Sequence, residues 1–188
     1  ATATTEDVKK ICEDAVKYGT ASVCIPPSYI KWARENFPPL NLCTVIGFPL
    51  GYNTTAVKVF ETGNAVIDGA DEIDMVINLG FVKDKKFDKV TEEISAVKKA
   101  CGGKLLKVII ETCYLTDDEK KELCKCVTDA GAEYIKTSTG FGTKGAELSD
   151  IEIFKNNIGE NVKIKAAGGI RTKEDMENFI EAGCDRIG

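Results

Sequence analysis

Residues 131–135 read Gly-Ala-Glu-Tyr-Ile, and their order of helix stop, small residue, acid and strand recurs elsewhere in the chain. It returns at Gly69–Ile73 and at Gly183–Ile187, and Gly19–Val23 is a looser copy. Glycine often ends a helix at this position, because it adopts the left-handed conformation of the C′ residue without strain. Recurrent helix–glycine–strand junctions therefore predict a series of βα units.

Short runs rich in valine and isoleucine complete these units. Several are continuously apolar, which is typical of parallel strands covered on both faces. The predicted strands are residues 21–25, 42–47, 72–78, 105–112, 133–137, 162–166 and 185–187. This order favours an α/β fold of the TIM (β/α)8-barrel type, with residues 1–188 forming one domain that lacks its first strand and its C-terminal end. A doubly wound open sheet is the alternative, although no GxGxxG follows an early strand.

Two further patterns concern the helices between these strands. Apolar residues spaced along one face predict a first helix whose buried stripe consists of Val8, Ile11, Cys12, Ala15 and Val16. Thr116 with Glu119, and Ser149 with Glu152, have the spacing of capping boxes at helix starts.

Composition excludes several classes of function. The 188 residues carry a net charge of −5 without a basic block, which argues against nucleic acid as a partner. No apolar run reaches the roughly 18 residues of a membrane span, and the N-terminus does not resemble a signal peptide, so we expect a cytoplasmic protein. The eight cysteines form no CxxC pair, which favours reduced thiols. The absence of histidine excludes Ser-His-Asp catalysis and His-ligated metal sites.

Lys136 and Lys165 each close an apolar strand and precede small residues and glycine. Burial of an ammonium group lowers its pKa, and a neutral lysine amine can form a Schiff base. For either lysine alone, the simpler interpretation is a side chain that extends to solvent. Asp74 interrupts another apolar strand and could pair with one of them, as a structural ion pair or as a proton carrier.

These residues lie in runs that resemble 2-deoxyribose-5-phosphate aldolases, a class I (Schiff-base) family on a TIM barrel. The resemblance covers essentially the whole chain, and its most specific runs are Ile135–Gly140 (IKTSTG) and Lys165–Thr172 (KAAGGIRT). The other runs are Ala21–Ile25, Thr44–Gly51, Glu72–Asn78 and Leu106–Thr112.

The resemblance implies a metal-independent reaction without an organic cofactor. Lys136 matches the lysine that forms the Schiff base with deoxyribose 5-phosphate. Lys165 matches the second lysine, which keeps Lys136 unprotonated, and Asp74 matches the proton donor and acceptor. Cleavage would release glyceraldehyde 3-phosphate and acetaldehyde.

Substrate-binding residues follow from the same resemblance. Gly168 and Gly169 match a phosphate-binding loop, and Cys24 is expected to line the pocket. Thr137 and Thr139 are expected to orient substrate or water. The only partners implied are a phosphosugar substrate and a second copy of the chain in a homodimer, with no membrane. Two alternatives stay open: a class I aldolase for another phosphorylated sugar, and a noncatalytic phosphosugar-binding barrel. If the molecule consists of residues 1–188 alone, we expect an open barrel that binds phosphate weakly.

Overall fold

The structure, a computed structural model, describes residues 2–188. Its strands form one parallel sheet whose spatial order is the order of the chain. They are β1 (Val23–Cys24), β2 (Leu42–Ile46), β3 (Glu72–Val76), β4 (Leu105–Ile109), β5 (Tyr134–Lys136), β6 (Lys163–Ala166) and β7 (Arg186–Ile187). A doubly wound sheet reverses its strand order at a switch point, so the sequential order contradicts that alternative.

Helices connect the strands, as the repeated junctions predict. They are α1 (Thr5–Tyr18), α2 (Ile30–Asn36), α3 (Thr55–Ile67), α4 (Leu79–Lys83), α5 (Phe87–Ala100), α6 (Asp117–Asp129), α7 (Leu148–Asn157) and α8 (Lys173–Ala182). Two short 3-10 helices occupy Pro27–Tyr29 and Thr112–Tyr114. No helix within residues 2–188 combines the length and the apolar character needed to cross a bilayer.

The sheet is strongly curled, as contacts across its inner face demonstrate. Asp74 on β3 and Lys165 on β6 are three strands apart, a separation of about 14 Å in a flat sheet. Their charged atoms nevertheless lie 3.1 Å apart. Arg186 on β7 likewise reaches Glu72 on β3, four strands away, at 2.7 Å. Side chains on the inner face therefore meet across an interior, which agrees with the predicted barrel. Within residues 2–188, β1 and β7 are the two edges of this sheet.

The four glycine junctions are confirmed, whereas one predicted cap is wrong. Gly19, Gly69, Gly131 and Gly183 all have positive φ, between 63° and 110°. Thr116 and Glu119 form a reciprocal capping box at the start of α6. At α7 the N-cap is instead Glu147, without a side-chain hydrogen bond. Ser149 therefore lies in the first turn, two residues after the N-cap position.

The predicted strands are longer than the observed ones, mainly at their C-terminal ends. Residues 77–78 and 110–112, for example, leave the sheet and enter the following loops. The core between sheet and helices is apolar and includes Val8, Cys12 and Ala15 of the predicted stripe on α1. Ile11 and Val16 were predicted on the same stripe but are exposed, so the buried face of α1 is narrower than its pattern predicts. All eight cysteines are free thiols, and six of them are buried: Cys12, Cys43, Cys101, Cys124, Cys126 and Cys184.

Candidate active site

Asp74 lies at the centre of a charged cluster inside the curled sheet. Its side chain has no exposed surface. Its Oδ2 accepts hydrogen bonds from Lys136 Nζ at 2.7 Å and from Lys165 Nζ at 3.1 Å. The structure therefore brings together the three residues that sequence reasoning placed in the site, although they are 62 and 91 residues apart in the chain.

Strand register explains why these side chains converge. Asp74 pairs with Lys107 across β3 and β4, and Lys136 pairs with Lys165 across β5 and β6. Directly paired residues of neighbouring strands point to the same face. The side chains of Lys107, Lys136 and Lys165 thus extend from the inner face of the sheet toward the Asp74 carboxylate.

Lys107 is the member of the cluster that sequence reasoning missed. Its side chain has no exposed surface and its Nζ lies 2.7 Å from Asp74 Oδ1 and 2.6 Å from Glu72 Oε2. Glu72 is held in turn by Arg186, whose Nη1 donates to both carboxylate oxygens. A signal was present, because Lys107 interrupts the apolar strand Leu105–Ile109 as Asp74 interrupts β3.

Electrostatics keep Asp74 ionised. Burial by itself would raise the pKa of Asp74, but Lys136, Lys165 and Lys107 together hold that pKa well below its usual value. Burial lowers the pKa of Lys136, yet attraction to the Asp74 carboxylate outweighs this effect and raises that pKa. This direction is opposite to the one predicted from sequence. In the resting site Lys136 is therefore an ammonium group paired with Asp74, and its free amine has to arise by proton transfer.

The cluster contains more cations than anions. Lys107, Lys136, Lys165 and Arg186 face only two carboxylates, those of Glu72 and Asp74. Like charges disfavour one another in a buried site, so loss of one proton from this cluster relieves repulsion. The arrangement can thus supply one neutral amine while its neighbours stay charged.

Cys24 and Cys43 lie beside the carboxylate. They are paired across β1 and β2, and their sulfur atoms and a carboxylate oxygen of Asp74 all lie within 4.8 Å of one another. Cys43 donates to Asp74 Oδ1 at 3.2 Å, and Cys24 is exposed. Among residues 2–188 this is the one group with spacing suited to a metal ion. Three ammonium groups already surround its carboxylate, however, and they oppose a bound cation.

The Gly168-Gly169 turn follows β6 directly. Both residues have positive φ, 83° and 79°, which favours glycine. A Cβ on Gly168 would lie 3.2 Å from the Cα of Gly145, a tight contact that adds to the preference for glycine there. The Gly168 amide donates to the Gly188 carbonyl at 3.2 Å. Turn geometry thus accounts for Gly168, whose N–H is already hydrogen-bonded within the protein.

Thr137 and Thr139 both hydrogen-bond to the protein. The Thr137 hydroxyl donates to the Ala167 carbonyl and accepts from the Ala167 amide, each at 3.1 Å, which joins the ends of β5 and β6. Thr139 Oγ1 donates to Glu111, whose carboxylate also accepts from the Thr139 amide. Glu111 itself adopts φ 54°, a strained conformation for a residue with a side chain. These contacts hold the loop that follows Lys136.

An apolar cavity of about 480 Å³ opens next to Cys24. Phe48 and Phe141 meet edge to face on its wall, with ring centroids 5.5 Å apart. It lies at the C-terminal ends of β1 and β2, the end of a (β/α)8 barrel at which active sites form.

Comparison with known proteins identifies the family. A profile of the DeoC/LacD family aldolases matches residues 1–188. The chain belongs to this family of aldolases. A deoxyribose-phosphate aldolase of Clostridium botulinum is 61% identical over 187 residues, which cover 99% of this chain and 85% of the relative. The family member of Clostridioides difficile with the same name is 57% identical over 189 residues, covering 100% of this chain and 86% of the relative.

A solved structure of the family supports the same assignment. The deoxyribose phosphate aldolase of Aeropyrum pernix, described as a tetramer, superposes with a TM-score of 0.91 at 33% identity. The match covers 100% of this chain and 80% of that protein.

Proposed function

We propose that the protein is a deoxyribose-phosphate aldolase, which reversibly cleaves 2-deoxy-D-ribose 5-phosphate into D-glyceraldehyde 3-phosphate and acetaldehyde. One observation carries the proposal: Lys136 and Lys165 share a single buried oxygen of Asp74 inside the sheet. Relatives at 61% and 57% identity that carry this name support the choice of substrate.

Lys136 is the proposed nucleophile. Its amine attacks C1 of the open-chain sugar, and loss of water gives an iminium ion. The C2–C3 bond then breaks as the C3 hydroxyl gives up its proton, and the bonding electrons form an enamine on the two-carbon fragment. Protonation of the enamine and addition of water release acetaldehyde and restore the amine. The iminium accepts the electrons, so the scheme calls for no metal and no organic cofactor.

Asp74 and Lys165 are the proposed proton carriers. Both groups that exchange protons with Asp74 Oδ2 lie within 3.1 Å of it, so one carboxylate oxygen serves the two amines. Lys136 starts as an ammonium, and it becomes the nucleophile when its proton passes by way of Asp74 to solvent water, which leaves Asp74 ionised again. The positive charge on Lys165 then disfavours reprotonation of Lys136.

The remaining site residues have supporting roles in the proposal. The Gly168-Gly169 turn binds the substrate's phosphate through the Gly169 N–H, because the Gly168 N–H already donates to the Gly188 carbonyl. Cys24 lines the pocket. Thr137 and Thr139 act indirectly, since their hydroxyls fix the strand ends and the loop around Lys136.

The proposal extends to the setting of the enzyme. Residues 1–188 act as one barrel domain, the location is cytoplasmic, and the partners are the phosphosugar and a second copy of the chain. Sedimentation of the purified protein tests the last point, and a monomer at micromolar concentration would contradict the homodimer.

Covalent trapping tests the chemistry. The protein is incubated with acetaldehyde and borohydride, and the reduced adduct is located by mass spectrometry. We expect one adduct, on Lys136. Labelling of another lysine, or no labelling, contradicts the mechanism.

A comparison of substrates tests the specificity. Deoxyribose 5-phosphate should be cleaved at least about tenfold more efficiently than ketohexose phosphates of the fructose type, a difference of about 1.4 kcal/mol in transition-state binding. The reverse preference would favour a class I aldolase for another phosphorylated sugar. Trapping without turnover of any sugar phosphate would favour the noncatalytic alternative.

A further inference from the structure

Lys107 is a fully buried lysine that the proposed reaction does not use. It contacts the side of Asp74 that faces away from the two site lysines: Lys107 Nζ lies 2.7 Å from Oδ1, whereas Lys136 and Lys165 contact Oδ2. It also donates to Cys43 Sγ at 3.4 Å. Desolvation makes burial of a single lysine costly, so its retention at this position needs a reason.

A row of alternating charges holds Lys107 in place. Arg186 on β7 contacts Glu72, Glu72 contacts Lys107, and Lys107 contacts Asp74, at 2.7, 2.6 and 2.7 Å. We call these four residues the charge ladder. It crosses the interior of the sheet and ends on the carboxylate that the reaction needs.

The charge ladder restricts Asp74 in two ways. A carboxylate bound at one oxygen by an ammonium and a thiol cannot rotate without losing both hydrogen bonds. The positive charge of Lys107 also stabilises the ionised form of Asp74, and so weakens the hold of Asp74 on the proton of Lys136. Orientation and proton affinity are thus both set from the far side.

We infer that Lys107 is a positioning residue that directs Asp74 Oδ2 at Lys136 and Lys165, and that Glu72 with Arg186 holds Lys107 for this task. The inference rests on the proposed function, because it assigns a role within the same site. Lys107 acts through Asp74 and does not touch the substrate.

Two substitutions in the charge ladder remove charges of opposite sign, so they should have opposite effects on the proton of Lys136. Lys107→Met keeps the length of the side chain but removes its charge, so Asp74 binds the proton of Lys136 more tightly. The pH at which acetaldehyde trapping on Lys136 is half-maximal should rise by about one unit. Glu72→Gln frees Lys107 to interact with Asp74 alone, and the midpoint should fall by a smaller amount.

The charged and titratable groups around Asp74 come from every strand of the sheet, and all of them stay unchanged in these variants except the one substituted. They are Cys24 (β1), Cys43 (β2), Glu72 (β3), Lys107 (β4), Lys136 (β5), Lys165 (β6) and Arg186 (β7). The midpoint therefore reports the removed charge.

Lys58→Met is the matched control. Lys58 is also fully buried and paired with a glutamate, Glu93, at 2.8 Å, but it lies outside the Asp74 cluster. We expect lower thermal stability and an unchanged trapping midpoint. For Lys107→Met we expect kcat to fall at least tenfold with a change in KM of less than about threefold, because positioning affects the reacting groups and not the phosphate.

The outcomes separate the inference from the function on which it rests. No adduct on wild-type Lys136 would overturn the proposed function. Trapping on wild-type Lys136, together with an unchanged midpoint in folded Lys107→Met, would overturn the inference alone. If Lys107→Met fails to fold, Glu72→Gln decides, and an unchanged or raised midpoint in that variant overturns the inference. An equal shift in Lys58→Met would also overturn it.

Discussion

Two groups of buried lysines give this protein a natural comparison. Lys58 on α3 pairs with Glu93 on α5, on the outer side of the sheet, and each side chain is fully buried. Inside the sheet, Lys107, Lys136 and Lys165 share Asp74. The first group has one cation for one anion, whereas the second has three ammonium groups around one carboxylate.

The two groups respond to burial in opposite directions. Desolvation lowers the pKa of Lys58 and raises the pKa of Glu93, against their mutual attraction, so both shift toward the neutral form. Around Asp74, attraction outweighs desolvation, and the pKa of Asp74 falls while that of Lys107 rises. A matched pair in this chain joins two helices. The cluster with three lysines around Asp74 instead supplies a carboxylate that stays ionised and amines that compete for it.

Among substitutions in the two groups of lysines, Lys136→Ala should have the largest effect on activity. Without the nucleophile, aldol cleavage should fall by on the order of a thousandfold or more, and acetaldehyde trapping should disappear. The control is Lys163→Ala, an exposed lysine close by at the start of β6, which should retain trapping. Residual Lys136-independent adducts in Lys136→Ala would contradict the assignment of that residue.

Removal of the buried cation Lys58 should have the largest effect on stability. Lys58→Met leaves Glu93 buried without its partner, which typically costs about 3–5 kcal/mol of unfolding free energy. Chemical denaturation at pH 7 measures the loss.

The pH dependence of this loss distinguishes a stranded charge from lost packing. Without Lys58, the pKa of Glu93 rises above its already raised value, and this folded-state pKa exceeds the unfolded one. Protonation of Glu93 therefore restores stability below its unfolded pKa, and this contribution is lost as the pH rises through the folded pKa. We expect the variant to lose less stability at pH 5 than at pH 8. An equal loss at both values would point to packing alone.

Lys165→Ala should have a smaller effect on the cluster around Asp74, a change in pH dependence. Removal of one cation lets Asp74 hold the Lys136 proton more strongly, so the pH optimum of cleavage should rise by about one unit. A pH–rate profile of kcat/KM measures the shift. A profile identical to that of the wild type would refute the proposed role of Lys165.

Thr116 lies outside both groups of lysines, so its substitution measures the effect of a local loss of stability. Thr116→Ala removes the cap of α6 and should cost about 1 kcal/mol of stability, with no change in the trapping midpoint. Thermal denaturation and the trapping assay provide the two readings. A shifted trapping midpoint in Thr116→Ala would show that a general loss of stability is enough to change that midpoint.

Local patterns were sufficient to predict the fold. Each junction needs a residue with positive φ, and the glycine that provides it is recognisable in any one repeat. The apolar runs between these glycines identify the parallel strands. Strand ends were less predictable, because residues such as Ile110 remain apolar and buried after they leave the sheet. The predicted cap at Ser149 failed because spacing alone does not fix where a helix begins.

Predictability within the site depended on register. Asp74, Lys136 and Lys165 stood out because each interrupts or closes an apolar run. Lys107 interrupts β4 in the same way, but its importance appears only when β3 and β4 are aligned and Lys107 pairs with Asp74. The Lys58–Glu93 pair was not visible at all, since the packing of one helix against another decides which of their many charged residues meet.

The long chain separations inside the charged cluster around Asp74 affect how the protein folds during synthesis. Lys165 follows Asp74 by 91 residues, and Arg186 follows Glu72 by 114. At about 5–20 residues per second, a ribosome needs roughly 5–18 s to add the first of these partners. Until then a β3 strand packed in its final place would bury carboxylates without all of their cations. The interior of the sheet therefore completes its assembly late, after the outer helices α3 and α5 have already emerged.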